Sequence, residues 1–129
     1  MSCEVKPRPI SYGSDACHFC RMTIVDKQHA AQLVTKKGKV YKYDAIECMM
    51  NQLKDQDKST MALFMVNDFD QPGSLVDGTK ATYLISENIP SPMGAYLSAF
   101  EQEQAAQNTL DANGGKLYTW TELKKRFKL

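Results

Sequence analysis

The sequence predicts an α+β protein: two small ββαβ halves packed side by side, preceded by a flexible N-terminal tether. Three observations lead there. Short β-branched or alternating runs come in pairs ahead of a helix-like segment twice along the chain, and a further strand-like run follows each helix. Between the two sets, Gln71-Pro72-Gly73-Ser74 gathers turn-forming residues and marks the place to divide the chain. The division is residues 1–14 as tether, 15–70 as the first half and 71–129 as the second.

At 129 residues with 43% hydrophobic content, the chain has enough apolar material for a core without staples. Sixteen basic and fifteen acidic side chains leave a formal net charge of +1, which supplies no basic field to hold a phosphate backbone, so nucleic acid is not an expected partner. The longest apolar runs, such as 61–66, fall far short of the roughly 20 residues a membrane helix needs.

The tether comes first. Glu4 to Pro9 is polar and Pro-containing, with neither helical nor strand periodicity. One account of the start is that a signal peptide has been replaced, leaving Cys3 as the former first residue of a bacterial lipoprotein and its point of lipid attachment. The other account is a free N-terminal thiol.

In the first half, Thr23-Ile24-Val25 is β-branched and reads as a strand continuing from the Cys17–Met22 turn. Residues 30–35 and 39–43 read as strands joined at Lys36-Lys37-Gly38, a hairpin with Tyr41 and Tyr43 on one face. Asp44 is placed to cap the following helix, with Glu47 as the returning partner of a capping box. Ile46, Met49, Met50 and Leu53 then form one apolar stripe at helical spacing, and Cys48 lies roughly opposite it, its role open. After a polar connector, residues 62–66 are a continuous apolar run suited to a buried strand.

The second half follows the same order. Residues 80–86 read as a strand, Pro90-Ser91-Pro92 interrupts, and 95–100 read as the next strand. Residues 101–112 favour helix on propensity, ended by Asn113-Gly114-Gly115. Residues 116–120 alternate as a strand, and Thr121 is placed to cap a final helix whose Leu123 and Phe127 share a face. A rival repeat pairs Ala30-Ala31-Gln32 with Ala105-Ala106-Gln107. It equates a strand with a helix and is treated as coincidence.

The chemistry concentrates in Cys17-His18-Phe19-Cys20-Arg21-Met22. A Cys-x-x-Cys turn brings two sulfurs together, and Met22 shares a strand face with Cys20 if the chain is extended there. Thiolate and thioether donors favour Cu(I), whereas zinc usually takes four Cys or His ligands. Met93, between Pro92 and Gly94 in a loop, is the other methionine placed as a ligand, and Met49, Met50, Met61 and Met65 lie in predicted core runs. His18 is an optional nitrogen donor. His29 reads as a surface residue at a strand start. No Ser/His/Asp set, phosphate loop or carboxylate pair points to an enzyme.

Together these motifs resemble the NosL family of copper lipoproteins that assist assembly of nitrous oxide reductase. The likeness rests on Cys17-x-x-Cys20-x-Met22, Gly38-Lys39-x-Tyr41-x-Tyr43-Asp44, Asp68-Phe69, and Pro92-Met93-Gly94 followed by Ala99-Phe100. The resemblance implies a periplasm-facing Cu(I) chaperone in the cell envelope, membrane-bound only through lipid on Cys3 and expected as a monomer. Its implied partners are nitrous oxide reductase and the associated membrane transport complex. Its implied metal positions are Cys17, Cys20, Met22 and Met93. The chain departs from the pattern in two places: Arg21 stands where the family commonly has Gly, and Gln71-Pro72-Gly73 replaces a Trp-containing segment. A general heavy-metal-binding envelope lipoprotein is one alternative. A thiol-disulfide oxidoreductase using Cys17 and Cys20 is another, against which the strand-like residues after Cys20 count, since such dithiols sit at a helix N-terminus. A structural zinc module is a third, lacking a second ligand pair in sequence.

Overall fold

The computed structural model describes residues 4–129. Cys3, the candidate for lipid attachment, lies outside the described residues. The first sheet is antiparallel, with spatial order β2-β1-β3-β4, formed by β1 (Ala31–Thr35), β2 (Val40–Tyr43), β3 (Met61–Asp68) and β4 (Gln71–Asp77). Helix α1 (Ile46–Leu53) connects β2 to β3 and packs on β1 and β2. The second sheet has order β6-β5-β7, from β5 (Thr82–Ile85), β6 (Leu97–Phe100) and β7 (Lys116–Tyr118), with α2 (Glu103–Asn113) between β6 and β7 and α3 (Trp120–Arg126) last. The two ββαβ orders are therefore present, the first extended by a strand and the second by a helix. Ala105-Ala106-Gln107 is helical, so the rival repeat has no structural counterpart.

The expected break at Gln71-Pro72-Gly73-Ser74 is instead the start of β4. The register with β3 runs Met65↔Asp77, Val66↔Val76 and Asn67↔Leu75, then shifts to Asp68↔Gln71, so the turn-forming residues bulge out of the ladder. Strand β4 is the outer edge of its sheet, where a proline's missing N–H costs little. The first sheet thus reaches Asp77, past the expected boundary at residue 70.

Three smaller expectations also change. Thr23-Ile24-Val25 is no strand; only an isolated bridge, Ala16↔Thr23, forms there. Strand β6 begins at Leu97 because Tyr96 sits at φ 57, in left-handed backbone. Helix α3 is capped by Thr119, two residues before the expected Thr121, in a full capping box with Glu122.

One apolar core serves both sheets. Ile46, Met49, Met50 and Leu53 of α1, Leu33 of β1, Tyr83 of β5 and Leu97 and Ala99 of β6 are all fully buried in it. Trp120 closes the middle, its ring 5.4 Å from Phe64 on β3 and 6.1 Å from Tyr83 on β5. His29 is a second tie and a correction: it is buried, with Nδ1 2.9 Å from the Asp26 carboxylate and Nε2 3.0 Å from Ser98 Oγ on β6. Placing an imidazole there satisfies both ring nitrogens, which burial demands.

Candidate metal site

The Cys17–Met22 segment folds into a closed loop. Cys17 N–H donates to the Met22 carbonyl at 2.8 Å and Arg21 N–H to the Cys17 carbonyl at 2.9 Å. Closing it this tightly puts Arg21 at φ 69, a conformation that favours glycine. The Cys20 N–H points at Cys17 Sγ, 3.5 Å away, and helps to hold negative charge on that sulfur. The His18 N–H donates to the Lys42 carbonyl at 2.8 Å, which pins the loop to the outer edge of β2, next to the start of α1.

Asp44, just ahead of the N-cap, and Cys48 in the first turn of α1 complete the site, and the expected capping box does not form. Residue Ala45 is the N-cap and supplies no side-chain bond. Asp44 Oδ1 accepts hydrogen bonds from the thiols of Cys20 and Cys48, each at 3.3 Å. The Glu47 carboxylate turns the other way, onto residues 91–95. Both acids follow the capping spacing in sequence, and both are taken by tertiary partners. Cys48, opposite the apolar stripe, is nevertheless buried, because the helix is covered on that side too. One ligand atom from each of Cys17, Cys20, Asp44 and Cys48 lies within 4.8 Å of all the others. Two thiolates on opposite sides of a single ion, each at about 2.3 Å, would stand about 4.6 Å apart. The spacing therefore suits one ion held among three sulfurs and a carboxylate.

The three thiols differ in proton affinity. Cys17 is held down to about 6, first by the hydrogen bond from Cys48 and then, against burial, by backbone N–H groups. Cys20 is pushed up to about 11, chiefly by burial. Cys48 is raised as well, because its thiol proton bonds to the Cys17 sulfur and burial opposes its ionisation. That single proton has two acceptors in reach, Cys17 and Asp44. Among the described residues, Cys17, Cys20 and Cys48 form no disulfide. The Tyr43 hydroxyl is fully buried without a hydrogen-bond partner, and burial followed by the nearby Cys17, Tyr41 and Cys48 raises its pKa. The three sulfurs are a soft donor set of the kind that suits a soft cation.

The structure brings Cys17 and Cys20 together and adds Asp44, which by sequence is a helix cap, and Cys48, whose role the sequence leaves open. Met22 and Met93 have side chains on the surface, 61% and 48% exposed. Met22 follows the cluster directly in the loop. Met93 lies in the 91–95 segment that docks on Glu47, the residue before Cys48. The His18 ring packs on Tyr41, with centroids 4.5 Å apart, and is not among the clustered ligand atoms. Asp26, His29 and Ser98 form a hydrogen-bonded chain reminiscent of a hydrolase, but Ser98 is fully buried in β6 and its hydroxyl has no route to a substrate.

The family model named NosL matches residues 9–127. The chain is 29% identical over 124 residues to the copper-binding lipoprotein NosL of Stutzerimonas stutzeri, covering 89% of this chain and 65% of that protein. It thus spans just under two thirds of the length of that curated relative. Its fold matches the crystal structure of the copper chaperone NosL from Shewanella denitrificans with a TM-score of 0.80, at 20% identity, over 92% of this chain and 96% of the other. Neither relative is named as an enzyme.

Proposed function

Because the chain belongs to the NosL family, we propose that it is a Cu(I) carrier that receives and hands on its ion at the Cys17–Cys20–Cys48 cluster. The observation that carries this reading is the convergence of three thiol sulfurs and the Asp44 carboxylate within 4.8 Å at a loop near the surface. Asp44 accepts from the Cys20 thiol, and the Cys48 thiol proton is within reach of both Asp44 and Cys17. Binding would release these protons, because thiolates and not thiols are the ligands. The half-buried Cys20 and the surface thioethers of Met22 and Met93 offer exchange positions toward a receiving protein. By family resemblance the proposed receiver is nitrous oxide reductase, served with its membrane transport complex, and the proposed location is the periplasmic face of the envelope with lipid on Cys3.

The reduced protein should compete with a chromogenic chelator for Cu(I). Cys17→Ser/Cys20→Ser should lose that competition by at least about tenfold, and Cys48→Ser should weaken it. Unchanged competition by the double variant would sink the reading.

One observation favours a second reading. Three sulfurs and one carboxylate oxygen also form a closed four-donor set suited to zinc, supplied by Cys48 and Asp44 where the sequence offered no second pair. Zinc retained against a strong chelator, with loss of fold on removal, would select it. The oxidoreductase alternative has less support. Its attacking thiolate should be exposed, yet the low-pKa Cys17 is fully buried and the more accessible Cys20 is the one pushed up.

A further inference from the structure

The hairpin that joins β1 to β2 carries Lys36, Lys37 and Lys39, none of which the thiol cluster uses. It faces the 3-10 turn Lys58–Thr60 ahead of β3, and the Lys36 N–H donates to the Thr60 carbonyl at 2.9 Å, which fixes the two turns against each other. Between them lies an open cleft of about 500 Å³, lined by Lys36, Lys37, Lys39 and Tyr41 from the hairpin and by Ser59 and Thr60 from the turn.

The three hairpin lysines are exposed, as are Lys58 and Arg21. Among the described residues, the ion pairs made by lysine or arginine are Lys6–Glu4 and Lys42–Asp15, so none of these cations is neutralised within the chain. Asp57, the N-cap of the 3-10 turn, is occupied by Ser59, whose N–H and Oγ both donate to its Oδ1, at 3.0 and 2.6 Å. Burial and then the charges of Arg21 and Lys39 lower the His18 pKa, so the positive field runs from the hairpin to the thiol loop. The whole chain carries a formal charge of only +1, which makes this concentration local. Like charges gathered on a folded surface repel one another, and an outside anion relieves that cost.

Lysines at a sheet edge also keep stray strands from pairing, and β2 is an edge strand. That role asks for charge along the edge and not for a cleft with an aromatic wall. Here Lys39 Nζ stands 5.1 Å from the centre of the Tyr41 ring, and the His18 ring packs on the same ring with centroids 4.5 Å apart. One aromatic side chain therefore joins the cleft to the loop that carries Cys17 and Cys20.

We propose that this cleft is the docking site for an extended acidic segment of a protein that exchanges metal with the thiol loop, its Asp or Glu side chains meeting Lys36, Lys37 and Lys39 beside Tyr41. The partner's role rests on the carrier reading above. A peptide segment fits where a bilayer does not: a headgroup layer is broad and flat, and a membrane laid over this face would cover the thiol loop that has to meet the receiving protein. Complementary charge of this kind speeds encounter, fixes orientation and is screened by salt.

The test uses the metal-free full chain, isotope-labelled for NMR, with an acetylated and amidated hexaglutamate peptide as the probe. The peptide should shift the backbone amides of residues 35–41 and 59–60 and the His18 ring, and its affinity should fall by at least about tenfold from low salt to about 0.15 M. Lys36→Glu/Lys37→Glu/Lys39→Glu should abolish these shifts. Lys125→Glu/Arg126→Glu/Lys128→Glu changes the net charge equally, at exposed positions at the end of α3 and just beyond it, and should leave them in place. The shift map and salt dependence of the unsubstituted chain test the cleft without relying on any variant. No shift at the cleft, equal shifts around Lys125 to Lys128, or equal loss in both variants would overturn the proposal, because bulk charge would then account for any binding. So would tighter binding of the same residues to phosphatidylglycerol vesicles than to the peptide, which would make this a membrane-facing surface. Probe and protein are both free of metal, so failure here leaves the carrier reading standing. Failure of the chelator competition would leave the cleft its acidic ligand and remove the metal-exchanging role of the partner.

Discussion

At the scale of single residues, local spacing announces a site but does not show who completes it. Cys17 and Cys20 were legible because three residues of separation bring two thiols together in any tight turn. Asp44 and Cys48 were not, because the spacing of Asp44 and Glu47 reads equally as a capping box. Only the tertiary arrangement decides that thiols, and not the helix's own N–H groups, donate to the Asp44 carboxylate. The burial of His29 is hidden in the sequence for the same reason, since it depends on Ser98, 69 residues away. Arg21 gives the residue scale its prediction. It occupies φ 69, where a side chain costs about 1–2 kcal/mol and glycine costs nothing sterically, partly offset by glycine's greater freedom when unfolded. Its charge also helps, after burial, to depress the His18 pKa. Arg21→Gly should therefore raise the melting temperature by a few degrees and raise the His18 pKa seen by NMR. No change in either would show that the loop relaxes around the arginine without strain.

At the scale of elements, periodicity carried the strands and helices because each rests on local pattern: the β1–β2 hairpin, the α1 stripe and the Asn113-Gly114-Gly115 stop all fall where the residues put them. Strand β4 is not legible in the sequence because Pro72 and Gly73 are breakers in a central strand but harmless in an edge bulge, and edge position is a property of the sheet. The turn after α2 shows how differently two adjacent glycines are required. Gly114 has φ 79 with nothing within 4 Å of an added Cβ, whereas at Gly115, with φ 116, the Cβ would stand 2.2 Å from the Ile85 carbonyl oxygen. Gly114→Ala should cost about 1 kcal/mol, the backbone term alone, and Gly115→Ala roughly 3 kcal/mol or more, because β7 must move off β5. Denaturant unfolding of the two variants tests this. Equal costs would mean that the β5–β7 junction yields freely.

At the scale of the whole molecule, the sequence gives two halves, but nothing in either half shows that Trp120 packs between Phe64 and Tyr83, or that one core runs through both sheets. Long-range packing of this kind leaves no local periodicity to read. A shared core should unfold as a unit, so proton binding at the thiols is felt by the stability of the entire chain. Cys17 is the decisive group. Its folded pKa, about 6, lies below its ordinary value of 9.0, so the unfolded chain binds more protons between these limits. Its stabilising contribution is complete above pH 9.0 and is lost as pH falls through 6. Cys20, pushed up to about 11, and Cys48, also raised, have the opposite sign: their contribution is present below 9.0 and declines as pH rises beyond it. His18, whose pKa is lowered from 6.5, contributes a slope of the same sign as Cys17 only in the acid range below that value. Between pH 7 and 8 the slope accordingly belongs to Cys17 and amounts to at most about 1.4 kcal/mol per pH unit. Thermal melts of the reduced, metal-free protein should rise by a few degrees from pH 7 to 8, and Cys17→Ser should flatten that rise. A wild type whose melting temperature is level across this interval would mean that Cys17 keeps its proton in the folded protein, and that all three clustered cysteines are thiols at neutral pH.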